Sequence, residues 1–207
     1  MKTRVLLTSF DAFGDEKINP AEEALKSIDL ESENFEIFKL TLPTVFKKSS
    51  TLLIEYIEKI KPSSVICLGQ AGGRASITPE RIAINVDDAE LADNEGNIPK
   101  DSPIKEDGPA AYFSTLPIKS IVEELKRKQI PANISNTAGT FVCNHIFYSL
   151  MHYAAKNSPG LLAGFIHLPY LPEQATKKNM PSLPLEKIVE AIKIAVIETV
   201  KATPMPL

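Results

Sequence analysis

The chain reads as an α/β protein, a largely parallel sheet covered by helices on both faces. Three observations carry that expectation. Short apolar runs alternate with helically periodic segments almost throughout the 207 residues. Several of those runs are nearly continuous in hydrophobic residues, as strands buried on both faces are. The length suits one domain over residues 1–207, at ~150 residues per domain. Such a chain buries ~70% of its unfolded surface, so it needs no covalent staples.

Residues 5–10 form the first apolar run and predict a buried strand. Asn19-Pro20-Ala21-Glu22 predicts a helix start. Asparagine is a good N-cap, proline suits the first helical position, and Glu22 follows three residues after the cap. Residues 35–42 alternate apolar and polar, which predicts a half-buried strand. Leu53, Ile57 and Ile60, with Tyr56 beside them, mark a helix that Pro62 ends.

Residues 64–69 are a further apolar strand running into Gln70-Ala71-Gly72-Gly73. Residues 81–87 alternate and predict another strand. Residues 88–110 are rich in acidic residues, Gly and Pro, with no period, and read as a long surface loop. Such loops are uncommon unless functional. Residues 118–128 read as an amphipathic helix and 132–135 as a short strand. Residues 141–155 read as a helix entered through a Gly-containing loop. Residues 161–168 are strongly apolar and predict a strand. Leu185, Ile188, Val189, Ile192 and Val196 mark a C-terminal helix opening near Pro184. In a parallel sheet, ligands bind beyond the carboxyl ends of the strands. Phe10, Gln70 and His167 all fall near such ends.

Composition narrows the function classes. Hydrophobic residues make up 43% and charged residues 24%, ordinary globular usage. The net charge is −3, without the basic excess of a nucleic-acid binder. Two cysteines and three histidines exclude a disulfide scaffold and speak against a zinc ribbon. The first apolar run is broken by Asp11, too short for a signal-peptide core. No stretch reaches the ~18 apolar residues of a membrane span. These features predict a soluble intracellular protein.

Cys143 is the sharpest chemical candidate. It sits where a loop enters a helix, and unpaired N–H groups with the helix dipole favour a thiolate there. A free thiol titrates near ~8.5, and this placement can lower it to ~3.5–7.5. The same N–H groups could hold an oxyanion. The pattern equally allows a small packed residue. A nucleophilic cysteine needs a base, usually histidine. His145 is two residues along the same helix and points elsewhere. His152 lies nine residues on, roughly 900° and ~13 Å away. Elimination leaves His167. A third group usually fixes the imidazole tautomer. Glu80, Asp87, Asp88 and Glu173 are all candidates, and spacing does not choose among them. Cys67, inside an apolar strand, reads as packing. Gly69 to Arg74 is glycine-rich but lacks phosphate-loop spacing, so it reads as a tight turn. Phe10 and Phe13 could be core or pocket.

The assembled residues resemble the pyroglutamyl peptidases of type I, also called pyrrolidone-carboxylate peptidases. The resemblance covers nearly the whole chain. It rests on residues 8–14 with Asn19-Pro20, on 69–74, on 77–85, on 135–145 around Cys143, and on 164–170 around His167. It implies a cysteine peptidase that removes an N-terminal pyroglutamyl residue through a thioester. Cys143 would be nucleophile, His167 base and Glu80 the orienting carboxylate. It also implies one α/β/α domain with an open twisted sheet, a cytoplasmic homotetramer, and no metal or organic cofactor.

A 5-oxoproline ring is small and neutral, so its site should be an aromatic slot without a carboxylate for a free amine. Phe10, Phe13 and Phe141 resemble slot-lining positions. Asn19 and Gln70 are candidates for polar contacts or for holding the slot in shape. One departure stands out: many members read Asp-Ala-Arg-Ile-Pro-Asp-Asn where this chain has Asp88-Ala89-Glu90-Leu91-Ala92-Asp93-Asn94. Two other readings share the frame, a non-catalytic module for lactam-like ligands and a nucleoside phosphorylase. The second lacks a basic phosphate cradle beyond Arg74 and Arg81.

Overall fold

Parallel pairing of four strands builds the sheet, as seen in a computed structural model that describes residues 2–30, 32–176 and 178–203. In chain order these are β1 (Thr3–Phe10), β2 (Phe35–Leu42), β3 (Ser64–Gln70) and β7 (Leu162–Leu168). A two-residue strand, β4 (Thr78–Pro79), adds antiparallel to β7. The sheet order is β2-β1-β3-β7-β4. A separate antiparallel pair joins β5 (Ile82–Ile84) to β6 (Ala111–Phe113).

The helices are α1 (Pro20–Ser27), α2 (Lys48–Ile60), α3 (Ile118–Arg127), α4 (Val142–Asn157), α5 (Pro172–Ala175) and α6 (Leu185–Ala202). The side-chain oxygen of Asn19 accepts from the Ala21 N–H, with Pro20 at the first helical position. Lys61 adopts the left-handed conformation after α2, just before Pro62.

Strand periodicity divides the core in two. On one face Val5, Leu7, Ile66, Leu68, Ile166 and Leu168 pack against α1, α3 and α6. On the other, Leu6, Phe10, Val65, Cys67 and Phe165 pack against α2 and α4. Successive residues of a strand point to opposite faces. Gly69 and His167 therefore share the face of Cys67 and Phe165, the face that α4 covers.

Three expectations are corrected. The strand expected over 81–87 is only Ile82–Ile84. Beyond it, Asp87 makes an isolated bridge with Ser102, and the Asn85 side chain bonds the backbone of Lys105, so the chain turns away. Residues 132–135 make isolated bridges, Ile77 with Ala132 and Glu80 with Ser135, rather than a strand. The long loop is not purely superficial. Ala89 and Asp93 are buried, and Asp93 accepts the N–H groups of Phe46, Glu95 and Asn97. No described helix is long and apolar enough to cross a membrane.

Candidate active site

The site lies at the carboxyl ends of β1, β3 and β7. Cys143 is in the first turn of α4, whose N-cap, Phe141, supplies no side-chain hydrogen bond. The first intrahelical bond of this turn runs from the His145 N–H to the Phe141 carbonyl. The preceding N–H groups have no intrahelical partner, as at every helix start.

The register of β3 and β7 brings Gly69 opposite His167. A Cβ on Gly69 would lie 3.1 Å from Cys143 Sγ and 2.6 Å from the Phe165 ring. The thiol thus rests over the bare backbone of Gly69, beside the strand that carries the imidazole. Phe165 packs against His167 with ring centroids 4.7 Å apart.

His167 is buried and donates Nδ1–H to Glu80 Oε1 at 2.7 Å. This bond sets the tautomer and leaves Nε2 as an acceptor. Burial pushes the His167 pKa down, against the opposing pull of Glu80. The ring is therefore neutral near pH 7. Burial also pushes Glu80 up, but the bond and charge of His167, aided by Ser135 and Arg74, bring it below the usual carboxylate value. Of the four carboxylates left open by sequence, Glu80 alone meets His167. Asp87 bonds His145 Nδ1 at 2.8 Å, and Asp88 and Glu173 are exposed.

The other two histidines are held elsewhere, as their spacing predicts. His145 Nε2 accepts the Lys47 N–H at 3.1 Å and meets Ser50 Oγ at 3.0 Å. His152 Nδ1 meets the Tyr112 hydroxyl at 3.1 Å.

The expected lowering of the Cys143 thiol pKa is not seen. Burial, and then the negative charge of Glu80, push it up to about 12, outweighing Arg74 and the backbone N–H. These shifts favour the neutral thiol and the neutral imidazole. Cys67 is fully buried, and burial likewise raises it to about 12.

Beside the thiol lies a narrow pocket lined by Phe10, Phe13, Asn19, Thr44, Gln70, Phe141, Val142 and Cys143. All five residues expected to form the slot are among them. Phe141 meets Phe13 at 5.9 Å and the edge of Phe46 at 5.3 Å. Asn19 spends both ends of its amide internally, on the Ala21 N–H and the Asp11 carbonyl. Its amide is thus held within the protein at the edge of the pocket. Gln70 Oε1 accepts from Gln174 Nε2 at 2.9 Å.

Sequence reading missed Thr44, Val142 and Gln174. Thr44 is held by its N–H to Asp11 Oδ1 at 2.7 Å, a contact between remote segments with no local signature. Val142 could have been found, since the residue before a helix-entry cysteine shares its surroundings. The glycine-rich turn is no phosphate cradle, because Arg74 is committed to Glu80 at 2.6 Å.

A thiol at an uncapped helix start, a tautomer-locked neutral imidazole and an uncharged aromatic slot, set on a mostly parallel sheet, define the class as the cysteine peptidases. The family model for pyroglutamyl peptidase matches residues 3–202. The chain belongs to the pyroglutamyl peptidase family. It is 57% identical over 198 residues to the pyrrolidone-carboxylate peptidase of Bacillus licheniformis, covering 95% of this chain and 92% of that one. It is 54% identical over 202 residues to that of Brevibacillus brevis, covering 97% and 94%. The fold superposes on the crystal structure of pyroglutamyl peptidase I from Bacillus amyloliquefaciens with a TM-score of 0.93, at 50% identity, covering 97% of this chain and 96% of that one. A mutant pyrrolidone carboxyl peptidase from Pyrococcus furiosus gives 0.93 at 42% identity, covering 97% and 99%.

Proposed function

We propose that this chain hydrolyses the bond that follows an N-terminal pyroglutamyl residue of a peptide, through a thioester. The observation that carries this reading is the slot. Its lining holds three aromatic rings and no charged side chain, and it opens onto the thiol of Cys143. A free terminal amine would enter without a counter-charge, at a desolvation cost of several kcal/mol. A lactam ring enters neutral.

In this reading Cys143 Sγ attacks the pyroglutamyl carbonyl carbon as its proton passes to His167 Nε2. Transfer at the moment of attack suits a resting neutral pair. The new oxyanion is held by backbone N–H groups at the start of α4. Glu80 stabilises the imidazolium that forms. His167 gives the proton to the leaving amine, the C–N bond breaks, and a thioester remains. Water, deprotonated by His167, attacks it, releasing pyroglutamate and restoring the thiol. Family resemblance supports two further expectations, a homotetramer and a cytoplasmic location. Exposed Leu91, Ile98 and Phe113 are apolar surface available to subunit contacts.

The test is release of a chromophore from a pyroglutamyl amide by the wild type, Cys143→Ala and Cys143→Ser. Turnover should vanish in the alanine variant. Retained turnover there removes Cys143 from the mechanism.

A further inference from the structure

Arg74 has no part in the mechanism above, yet it touches Glu80 and the loop that leads to Cys143. It follows the Gly72-Gly73 turn at the end of β3. Gly73 has φ +87°, a conformation that favours glycine. A Cβ on Gly72 would lie 2.3 Å from the Tyr170 ring. Two glycines in succession thus let the chain fold back tightly against Tyr170, and the turn aims Arg74 at β4.

There the guanidinium makes three hydrogen bonds. Nη1 donates to Glu80 Oε1 at 2.6 Å and to Thr78 Oγ1 at 2.6 Å. Nη2 donates to the Thr137 carbonyl at 3.0 Å, in the loop that leads into α4. Glu80 Oε1 is the same oxygen that accepts from His167 Nδ1 at 2.7 Å. Glu80 Oε2 is buried and has no hydrogen-bond partner among the described residues. Two donors therefore converge on one oxygen, from opposite elements, and rotation of the carboxylate would break both bonds together.

We propose that Arg74 is a positioning residue for the reaction, clamping Glu80 against His167 and tying that pair to the loop before Cys143. The proposal rests on the peptidase reading above. A buried carboxylate with one partner could turn, and the imidazole would turn with it. A planar guanidinium with donors on two nitrogens fixes the oxygen and the nucleophile's loop at once. Lysine, a point charge, can keep the ion pair but not the link to Thr137.

The charge of Arg74 adds a signature that a merely structural anchor lacks. The titratable groups facing Glu80 and His167 are each other, Arg74 and Cys143, with Cys67 behind the thiol. Arg74 lowers both Glu80 and His167. Its removal raises both, so protonation disables the base at higher pH.

The experiment measures kcat, KM and the pH profile of kcat/KM on a pyroglutamyl amide for the wild type, Arg74→Gln and Arg74→Lys. Arg74→Gln should lose up to about 100-fold in kcat, the scale of a small misplacement at a reacting centre. KM should barely change, and the acid limb should move to higher pH. Arg74→Lys should bring the limb back most of the way. An acid limb of Arg74→Gln that superimposes on the wild type overturns the proposal. So does an Arg74→Lys variant as displaced as the glutamine one. If Arg74→Gln does not fold, Arg74→Lys, which keeps the charge but loses the link to Thr137, must lower kcat with the limb in place; wild-type kcat there is equally fatal. Wild-type turnover separates the two readings. Its absence defeats the peptidase reading, whereas wild-type turnover with an unmoved variant limb defeats only the role of Arg74.

Discussion

Cys143 Sγ lies over Gly69, 3.1 Å from where a Cβ of that residue would be, and Gly69 is paired in register with His167. The thiol and the imidazole come from α4 and β7, and Gly69 of β3 adjoins both. Gly69→Ala should therefore injure activity more than fold. Its methyl would meet the Phe165 ring and the thiol, and the Phe165 ring packs on His167. Overpacking of this kind costs about 1–3 kcal/mol. We expect kcat on a pyroglutamyl amide to fall at least about 10-fold, with a melting temperature only modestly lower. Normal kcat would show that the thiol does not work from this position.

The thiol itself gives a second test. Burial and Glu80 push Cys143 up to about 12, so little thiolate exists at neutral pH. Alkylation by iodoacetamide in the absence of substrate should be slower than that of an unhindered thiol, and should rise with pH through the neutral range. Cys67, fully buried, should react only on unfolding. Rapid alkylation of Cys143 at pH 6 would establish a preformed thiolate–imidazolium pair instead.

Slot selectivity should follow apolar contact and charge. Phe141→Ala removes a ring in contact with Phe13 and Phe46 and widens the slot. About 2 kcal/mol of lost burial corresponds to a roughly 30-fold fall in kcat/KM, expressed mainly in KM. A glutamyl amide brings an amine and a carboxylate into a slot with no charged lining. Its cleavage should be lower by several orders of magnitude, since each unpaired charge costs about several kcal/mol on burial. Comparable rates on the two amides would contradict the slot assignment.

Acid should weaken both activity and stability. His167 is held below its ordinary value, which is about 6.5. Below that pH the unfolded chain takes a proton that the folded protein refuses, so stability declines as pH falls. Glu80 is also held below its ordinary value. Its contribution is complete above about 4.3 and disappears as pH falls through the folded value. Denaturant midpoints at pH 7.5, 5.5 and 4 should decrease in that order. Glu80→Gln and His167→Gln should each flatten the trend. A midpoint that is independent of pH would refute the coupling.

The Asn19 amide is spent on internal hydrogen bonds, so its loss should appear in stability. Asn19→Ala removes the cap of α1 and the bond to the Asp11 carbonyl. A lost cap costs about 1 kcal/mol, or about 2–4 °C in melting temperature for a chain of this size. A calorimetric scan reads it directly. A large kcat defect with an unchanged melting temperature would instead place Asn19 in contact with substrate.

Most of the fold was legible locally because its signals are local. The N-cap at Asn19, the stop at Pro62 and the apolar runs of β1, β3 and β7 depend on residues a few positions apart. The segments misread are those whose structure is lent by remote chain. Residues 81–87 form a strand only where β6 pairs with them. Residues 132–135 are straightened by bridges to Ile77 and Glu80. In the site, helical spacing removed His145 and His152 and left His167. Spacing did not choose the carboxylate, because Glu80 and His167 meet through the antiparallel addition of β4 to β7 across 87 residues.

By itself, then, the amino-acid sequence determined the α/β order, the helix-entry cysteine, the one histidine that geometry leaves, and the resemblance that joined Glu80 to them. Hydrophobic period and backbone stereochemistry act over a few residues, so these could be read from the chain. Tertiary structure alone decided the rest: the thiol resting on Gly69, the direction of its pKa, Arg74 closing on Glu80, and Thr44 completing the slot. Each depends on burial or on contact between segments far apart in the chain. Desolvation and register are properties of the packed sheet, and no local pattern encodes them.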